Sequence, residues 1–358
     1  MAAALRYRIK RVLAALALAG MLGSPASADP LPALGADLSQ TTVSGLSSGA
    51  YMAGQFQVAY SQLVTGAGIV AGGPYACAET PGGDLNPFWG VVLGWNQERA
   101  QDDCMDDGWW FWSTVPAPAN LLDYAKQLAE ADKIDALSGL AADKVYLFSS
   151  SHDDTVKRPV VEAAFGFYEK AGIPDGSIQF VKNDRAAHAF LTETQGLACG
   201  TAGPPYLNDC DYDQAGAILK WLYGNLDGPR DAVASSFIRF EQAPFANGLG
   251  EADFSPAGVV YVPADCRGTP RCKVHVVFHG CKQGIAAVGD TFVKGSGFAR
   301  WAEANRIVLL FPQVTASTLN PNGCWDWWGY TGRNFLERDA PQMLAVKRML
   351  DRLAEQPH

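Results

Sequence analysis

In this chain the serine motif Gly45-Leu46-Ser47-Ser48-Gly49 comes first, and the segment His279-Gly280-Cys281 follows some two hundred residues later. A Gly-x-Ser-x-Gly turn between a strand and a helix lifts a serine hydroxyl clear of a sheet, and a His-Gly strand end commonly offers backbone N–H groups to an oxyanion formed there. In the usual order the oxyanion strand precedes the serine. Here it follows every candidate partner of the serine, so the two halves of the sheet are expected to have exchanged places along the sequence.

The two motifs together predict a circularly permuted α/β-hydrolase, an α/β fold with a mostly parallel sheet flanked by helices and stabilised by disulfides. Residues 40–44 read as a β-branched strand, and apolar residues at helical spacing follow the serine turn. Residues 66–75 read as a buried strand, 121–136 as a helix, and 144–150 as a strand ending in a polar turn. A helix stopped by Gly172, a strand over 177–184 and a helix over 211–224 come next. Residues 258–263 and 273–280 read as strands paired with each other through a short loop. A helix, a buried strand over 307–313 and a last helix complete the alternation, which favours parallel strands. Residues 76–116 break the pattern: Trp89, Trp95, Trp109, Trp110 and Trp112 lie among turn residues. The segment reads either as an insertion over the sheet edge or active site, or as a satellite core.

Residues 1–28 carry Arg6, Arg8, Lys10 and Arg11, then an apolar run and Ala26-Ser27-Ala28, the composition of a secretory signal peptide. Residues 29–358 then form a single catalytic domain without a separate substrate-binding domain. Without the leader, 24 cations face 37 carboxylates, a net charge of −13, which disfavours nucleic acid or an anionic membrane as partner. No membrane anchor is expected, and the protein is expected to be monomeric, secreted or periplasmic. The eight cysteines all fall in the exported part, and an even count in an oxidising compartment favours four disulfides. Sequence order would join Cys77 to Cys104, Cys199 to Cys210, Cys266 to Cys272 and Cys281 to Cys324. The two short loops, 199–210 and 266–272, need no assumption about the fold.

Ser47 is the candidate nucleophile, because a serine hydroxyl attacks an ester only when a base takes its proton. His188, in a small-residue loop after a strand, stands where the base belongs in the order serine, acid, histidine. The acid follows the strand at 144–150. Asp153 is favoured over Asp154 because it forms a D-x-x-V turn with Val156. Oxyanion donors are expected from the N–H of Ser48 and that of Cys281. Trp325, Trp327, Trp328 and Tyr330 lie beside Cys324, and these rings either line a groove for an apolar substrate chain or pack as core. The chemistry requires no cofactor and no metal.

Taken together, GLSSGAYMA, VAGGPYACA, SSSHDDTV, AAHAF, CGTAGPPYLNDCDYDQAGAILKWLYG, FHGCKQG and NPNGCWDWWGY resemble the extracellular or periplasmic poly(3-hydroxybutyrate) depolymerases with a lipase box near the N-terminus. The resemblance spans essentially all of the exported chain. It implies Ser47 as nucleophile, Asp153 as acid, His188 as base, Ser48 and Cys281 as oxyanion donors, and a polyester or oligoester as substrate. Ser150 stands where a glycine commonly precedes the acid. Members that attack crystalline polymer usually add a linker and a binding domain, so amorphous or short-chain material is the expected substrate here. Two other readings remain: a carboxylesterase for short-chain, aromatic-acid or synthetic esters, and a non-catalytic polymer-binding protein.

Overall fold

The computed structural model describes residues 28–79, 94–106, 114–250, 252–268 and 271–357. The expected leader lies outside the described residues except for Ala28, as do Trp89, Trp109, Trp110 and Trp112.

Among the described residues, eight strands form one sheet: β1 (Thr41–Leu46), β2 (Val64–Val70), β3 (Lys144–Ser150), β4 (Ile178–Asn183), β8 (Phe237–Glu241), β9 (Ala257–Tyr261), β10 (Lys273–Phe278) and β11 (Ile307–Phe311). Their spatial order is β4-β3-β2-β1-β10-β11-β9-β8. The first six in that order run parallel, while β9 and β8 close one edge antiparallel. β1 is flanked by β2 and β10, with Val43 opposite both Ala67 and Val276. The late segment thus slots directly beside the early serine strand, which is the arrangement of a circularly permuted α/β-hydrolase sheet. A second, small parallel sheet comprises β5 (Phe190–Thr192), β6 (Leu197–Ala198) and β7 (Leu207–Asp209).

One expected pairing is corrected. β9 and β10 are adjacent along the chain but not in space, because β11 lies between them. Residues 274–278 and 307–311 are buried throughout and take interior positions of the sheet, which leaves 257–261 antiparallel on the far side of β11. β8, unread from the sequence, is short and half-exposed, as an edge strand can be.

Helices cover both faces. Ile69 reaches Gly54 of helix α1 (Ser48–Ala59), whereas a Cβ on the preceding Gly68 would meet Ile218 of helix α5 (Gln214–Tyr223) at 2.9 Å. Successive strand residues point to opposite faces, so these helices sit on opposite sides of the sheet. Helix α2 spans Trp95–Asp102. Helices α3 (Pro118–Glu130), α4 (Arg158–Lys170) and α7 (Pro341–Ala354) each place proline in the first turn, where its missing N–H costs no hydrogen bond. α4 ends before Gly172, whose φ of +96° reverses the chain cheaply. α5 is capped by Asp213, which accepts from Gly216 N–H at 2.8 Å. Helix α6 (Phe298–Asn305) packs on β11. The expected helix over 121–136 begins at Pro118 and stops at Glu130.

The four disulfides pair in sequence order: Cys77–Cys104, Cys199–Cys210, Cys266–Cys272 and Cys281–Cys324. Among the described residues, no helix is long and apolar enough to cross a membrane.

Candidate active site

The candidate residues emerge from the carboxyl ends of parallel strands, where open α/β sheets form their crevices. Ser47 follows β1 with φ +57° and ψ −124°. A non-glycine residue held in such a conformation costs on the order of 1–3 kcal/mol, so the surroundings must enforce it. Its N–H donates to Val70 O at 2.9 Å, and its carbonyl accepts from Ala50 and Tyr51 as α1 begins. The two motif glycines are required sterically. A Cβ on Gly45 would lie 2.2 Å from Gly49 O, and one on Gly49 would lie 2.3 Å from Phe278 O. Helix α1 therefore starts in backbone contact with both its own strand and the end of β10.

Asp153 and His188 meet beside this turn, with Nδ1 of His188 2.8 Å from Oδ2 of Asp153. Asp153 is held from its other oxygen, since Oδ1 accepts from Thr155 N–H at 2.8 Å and Val156 N–H at 2.9 Å. These bonds are the physical content of the D-x-x-V pattern. Asp154 points to solvent and pairs with Lys157 at 2.8 Å, a bond that lowers its pKa. The base loop is anchored on both sides of His188. Ala187 N–H donates to Cys199 O at 2.9 Å, and Phe190 N–H donates to Tyr206 O at 2.9 Å. The Tyr206 ring stands edge-on to the imidazole, with centroids 6.2 Å apart.

Two further histidines lie deep in the sheet. His275 bridges β1 hydroxyls, with Nδ1 2.7 Å from Thr42 Oγ1 and Nε2 2.8 Å from Ser44 Oγ. The donors run in one direction: Tyr223 O–H gives to Val274 O and Thr42 O–H gives to Tyr223. Nδ1 of His275 therefore carries the hydrogen, and Nε2 accepts from Ser44. Burial lowers its pKa to about 3, so the ring is neutral. His279 accepts Val314 N–H on Nε2 at 3.2 Å and donates from Nδ1 to Gly280 O at 2.8 Å; burial lowers its pKa to about 4. His279 thus organises backbone, whereas His275 ties together side-chain hydroxyls of β1.

A cavity of about 590 Å³ opens over Ser47, His188, Gly280 and Cys281. On either side of Cys281 the amide N–H groups are committed: Gly280 donates to Gln283 Oε1 at 2.7 Å and Lys282 to Asn322 O at 2.7 Å. The Cys281–Cys324 bridge ties this turn to the aromatic loop.

That loop divides the four rings named from the sequence. Trp327 and Trp328 line the cavity. Trp325 is 0 % exposed and packs edge-on to Phe278 and Phe254, and the Tyr330 hydroxyl turns inward to donate to Cys324 O at 2.7 Å. The groove assignment of Trp325 and Tyr330 is therefore corrected. The reason is Asp326, a buried carboxylate that draws the N–H groups of Trp328, Gly329, Tyr330 and Thr331 around itself. A backbone wound around one side chain does not alternate its faces as a strand does. Burial raises the pKa of Asp326 despite these donors.

Tyr51 and α2 were not singled out from the sequence. The Tyr51 ring stacks on Trp327 at 4.0 Å, and its hydroxyl donates to Cys104 O. Together with Cys77, Cys104 and Ala100 these rings form a small second core, while Gln97 and Gln101 of α2 face the cavity. The described part of residues 76–116 thus both builds a satellite core and walls the site. The position of Tyr51 in the serine motif's first helical turn was the available signal.

No family model matches the chain. It is 42% identical over 346 residues to a poly(3-hydroxybutyrate) depolymerase of Delftia acidovorans, covering 95% of this chain and 65% of that protein. The chain thus spans just under two thirds of that relative's length. A polyhydroxybutyrate depolymerase of Talaromyces funiculosus is 32% identical over 340 residues, covering 89% of this chain and 91% of that one. The crystal structure of a PHB depolymerase from Penicillium funiculosum superposes with a TM-score of 0.79 at 29% identity, covering 91% of this chain and 100% of that one. A serine-to-alanine variant of a PHB depolymerase, complexed with an R3HB trimer, matches with the same figures.

Proposed function

Because this chain belongs to the poly(3-hydroxybutyrate) depolymerase family, we propose that it is a secreted or periplasmic serine esterase that hydrolyses poly(3-hydroxybutyrate) or its oligomers through an acyl-enzyme intermediate. Residues 29–358 act as one catalytic domain and work as a monomer. The observation that carries this reading is the 2.8 Å contact between Asp153 and His188 at a cavity that Ser47 and Cys281 also line.

Ser47 Oγ attacks the ester carbonyl carbon while Nε2 of His188 takes its proton. The carbonyl oxygen becomes an oxyanion that accepts the N–H groups of Ser48 and Cys281. Removing one such donor typically costs about a hundredfold to a thousandfold in rate. Collapse of this intermediate breaks the bond to the alcohol oxygen, which leaves as a hydroxyl with the proton from His188. Water, deprotonated by His188, then attacks the acyl-serine; collapse breaks the acyl–Oγ bond, the acid leaves, and His188 returns the proton to Ser47. Asp153 keeps the hydrogen of His188 on Nδ1 throughout, so that Nε2 stays a base. Trp327 and Trp328 offer an apolar wall to the methylated polyester backbone. The R3HB trimer in the related complex supports an oligoester as the occupant, and the disulfides are consistent with an oxidising compartment.

Treatment with a serine-directed phosphonate is expected to label Ser47, and S47A is expected to abolish hydrolysis. Label on another residue would refute the site. Products released from amorphous poly(3-hydroxybutyrate), a feruloyl ester and p-nitrophenyl butyrate separate polyester hydrolysis from general esterase activity. Turnover of the last two without release from the polymer would refute the substrate.

A further inference from the structure

We infer that Gln283 is a positioning residue that fixes the oxyanion turn relative to the general base. This rests on the roles assigned above to Cys281 and His188. The side chain is 1 % exposed and all its hydrogen-bonding groups are engaged on two different pieces of the site. Its carbonyl oxygen accepts Gly280 N–H at 2.7 Å. Its amide nitrogen donates to Pro205 O at 3.1 Å and to Tyr206 O at 2.9 Å.

Each contact bears on a reacting group. Gly280 immediately precedes the proposed donor Cys281, and a Cβ there would lie 3.5 Å from Ser47 Cβ. By taking Gly280 N–H, the carboxamide turns that peptide away from the cavity and sets the orientation of the next one. At the other end, Tyr206 O also accepts Phe190 N–H, two residues after His188, while the Tyr206 ring stands against the imidazole. One planar amide thereby connects the turn after β10 to Tyr206, whose carbonyl also holds the chain just after the base. Gln283 lies 78 and 77 residues from Pro205 and Tyr206 in sequence. Oxyanion stabilisation depends on donors held at the position the charge will occupy, so an error of an ångström in the turn is expressed in the transition state more than in substrate binding.

The carboxamide is chemically specific to this place. It faces one N–H and two carbonyls, so it must present one acceptor and two donors. A carboxylate would oppose two carbonyl oxygens, and a thioether of similar size would withdraw this partner from Gly280 N–H and Pro205 O and leave Tyr206 O with Phe190 N–H.

The test compares Q283E and Q283M with the wild-type full chain, after phosphonate labelling has located the nucleophile. Labelling away from Ser47 would defeat the proposed function and not this assignment alone. With labelling at Ser47, both variants are expected to lose tenfold to a hundredfold in kcat on p-nitrophenyl butyrate, with KM within about threefold. Inhibition by a trifluoromethyl ketone, which places a tetrahedral oxyanion in the site, is expected to weaken by the same factor as kcat/KM. A loss of activity that merely follows the folded fraction measured by thermal unfolding would overturn the assignment. So would a rise in KM at unchanged kcat, unchanged ketone affinity, or failure of both variants to fold, because each describes a structural glutamine. Should Q283M alone fail to fold, Q283E decides.

Discussion

Replacing Asp153 by asparagine alters one atom, and the structure dictates which way the new amide must face. Oδ1 receives two backbone N–H groups at 2.8 and 2.9 Å, whereas Oδ2 faces the imidazole at 2.8 Å. Turning the amide nitrogen toward Thr155 and Val156 would oppose donor to donor and forfeit two hydrogen bonds, each worth about 0.5–1.5 kcal/mol. The NH₂ group of D153N therefore faces His188 and donates to Nδ1. The hydrogen of the neutral imidazole then sits on Nε2, and the ring has no lone pair to accept the serine proton. In a serine protease the same exchange costs about 10⁴-fold in kcat, equivalent to about 5.5 kcal/mol of barrier. A loss of that order is expected here on p-nitrophenyl butyrate near neutral pH, at unchanged thermal stability. D154N, which removes only an exposed pairing with Lys157, is expected to keep kcat within about threefold. A D153N enzyme within tenfold of wild type, or a D154N enzyme as impaired as D153N, would refute the reasoning.

G49A drives a methyl group against Phe278 O and His279 O at 2.3 and 2.4 Å, both backbone atoms that cannot yield. A fall in melting temperature, together with loss of phosphonate labelling, is the expected result. Burial raises the pKa of Asp143 to about 7, although Gln57 donates to it at 2.8 Å. The folded state then retains a proton that the unfolded chain loses near pH 4, so stability falls as pH rises from about 4 to about 7 and is level above that. D143N is expected to flatten this dependence in denaturant titrations and to gain on the order of a few kcal/mol at pH 8. W328A is expected to raise KM for hydroxybutyrate oligomers about tenfold with little change in stability. W327A removes a ring buried against Tyr51 and is expected to cost about 3–5 kcal/mol in unfolding measurements.

Local chemistry was readable in the sequence, and adjacency was not. The elbow at Ser47 could be read because strand, glycine spacing and helix fall within a short window. Asp153 could be preferred because the N–H groups that hold it belong to the next three residues. The neighbour of β10 could not be read, because parallel strands pair through long crossovers and the pairing of β11 with β10 leaves no mark in either strand's own pattern. The alternation Trp325, Trp327 misled for a related reason: Asp326 winds the following backbone around its carboxylate, and period-2 reasoning holds only for extended chain. Gln283 lay inside a quoted motif, but its partners at Pro205 and Tyr206 are remote in sequence.

The permuted order also has a consequence for synthesis. β1, the strand that carries the nucleophile, is central in the finished sheet, yet its neighbour β10 begins only at Lys273. Any nascent or truncated chain ending before that point leaves one edge of this buried strand with its amide and carbonyl groups unpaired and open to passing strands. The seam of the protein is its catalytic strand, and the growing polypeptide is most prone to stick to its own copies until the last quarter closes over it.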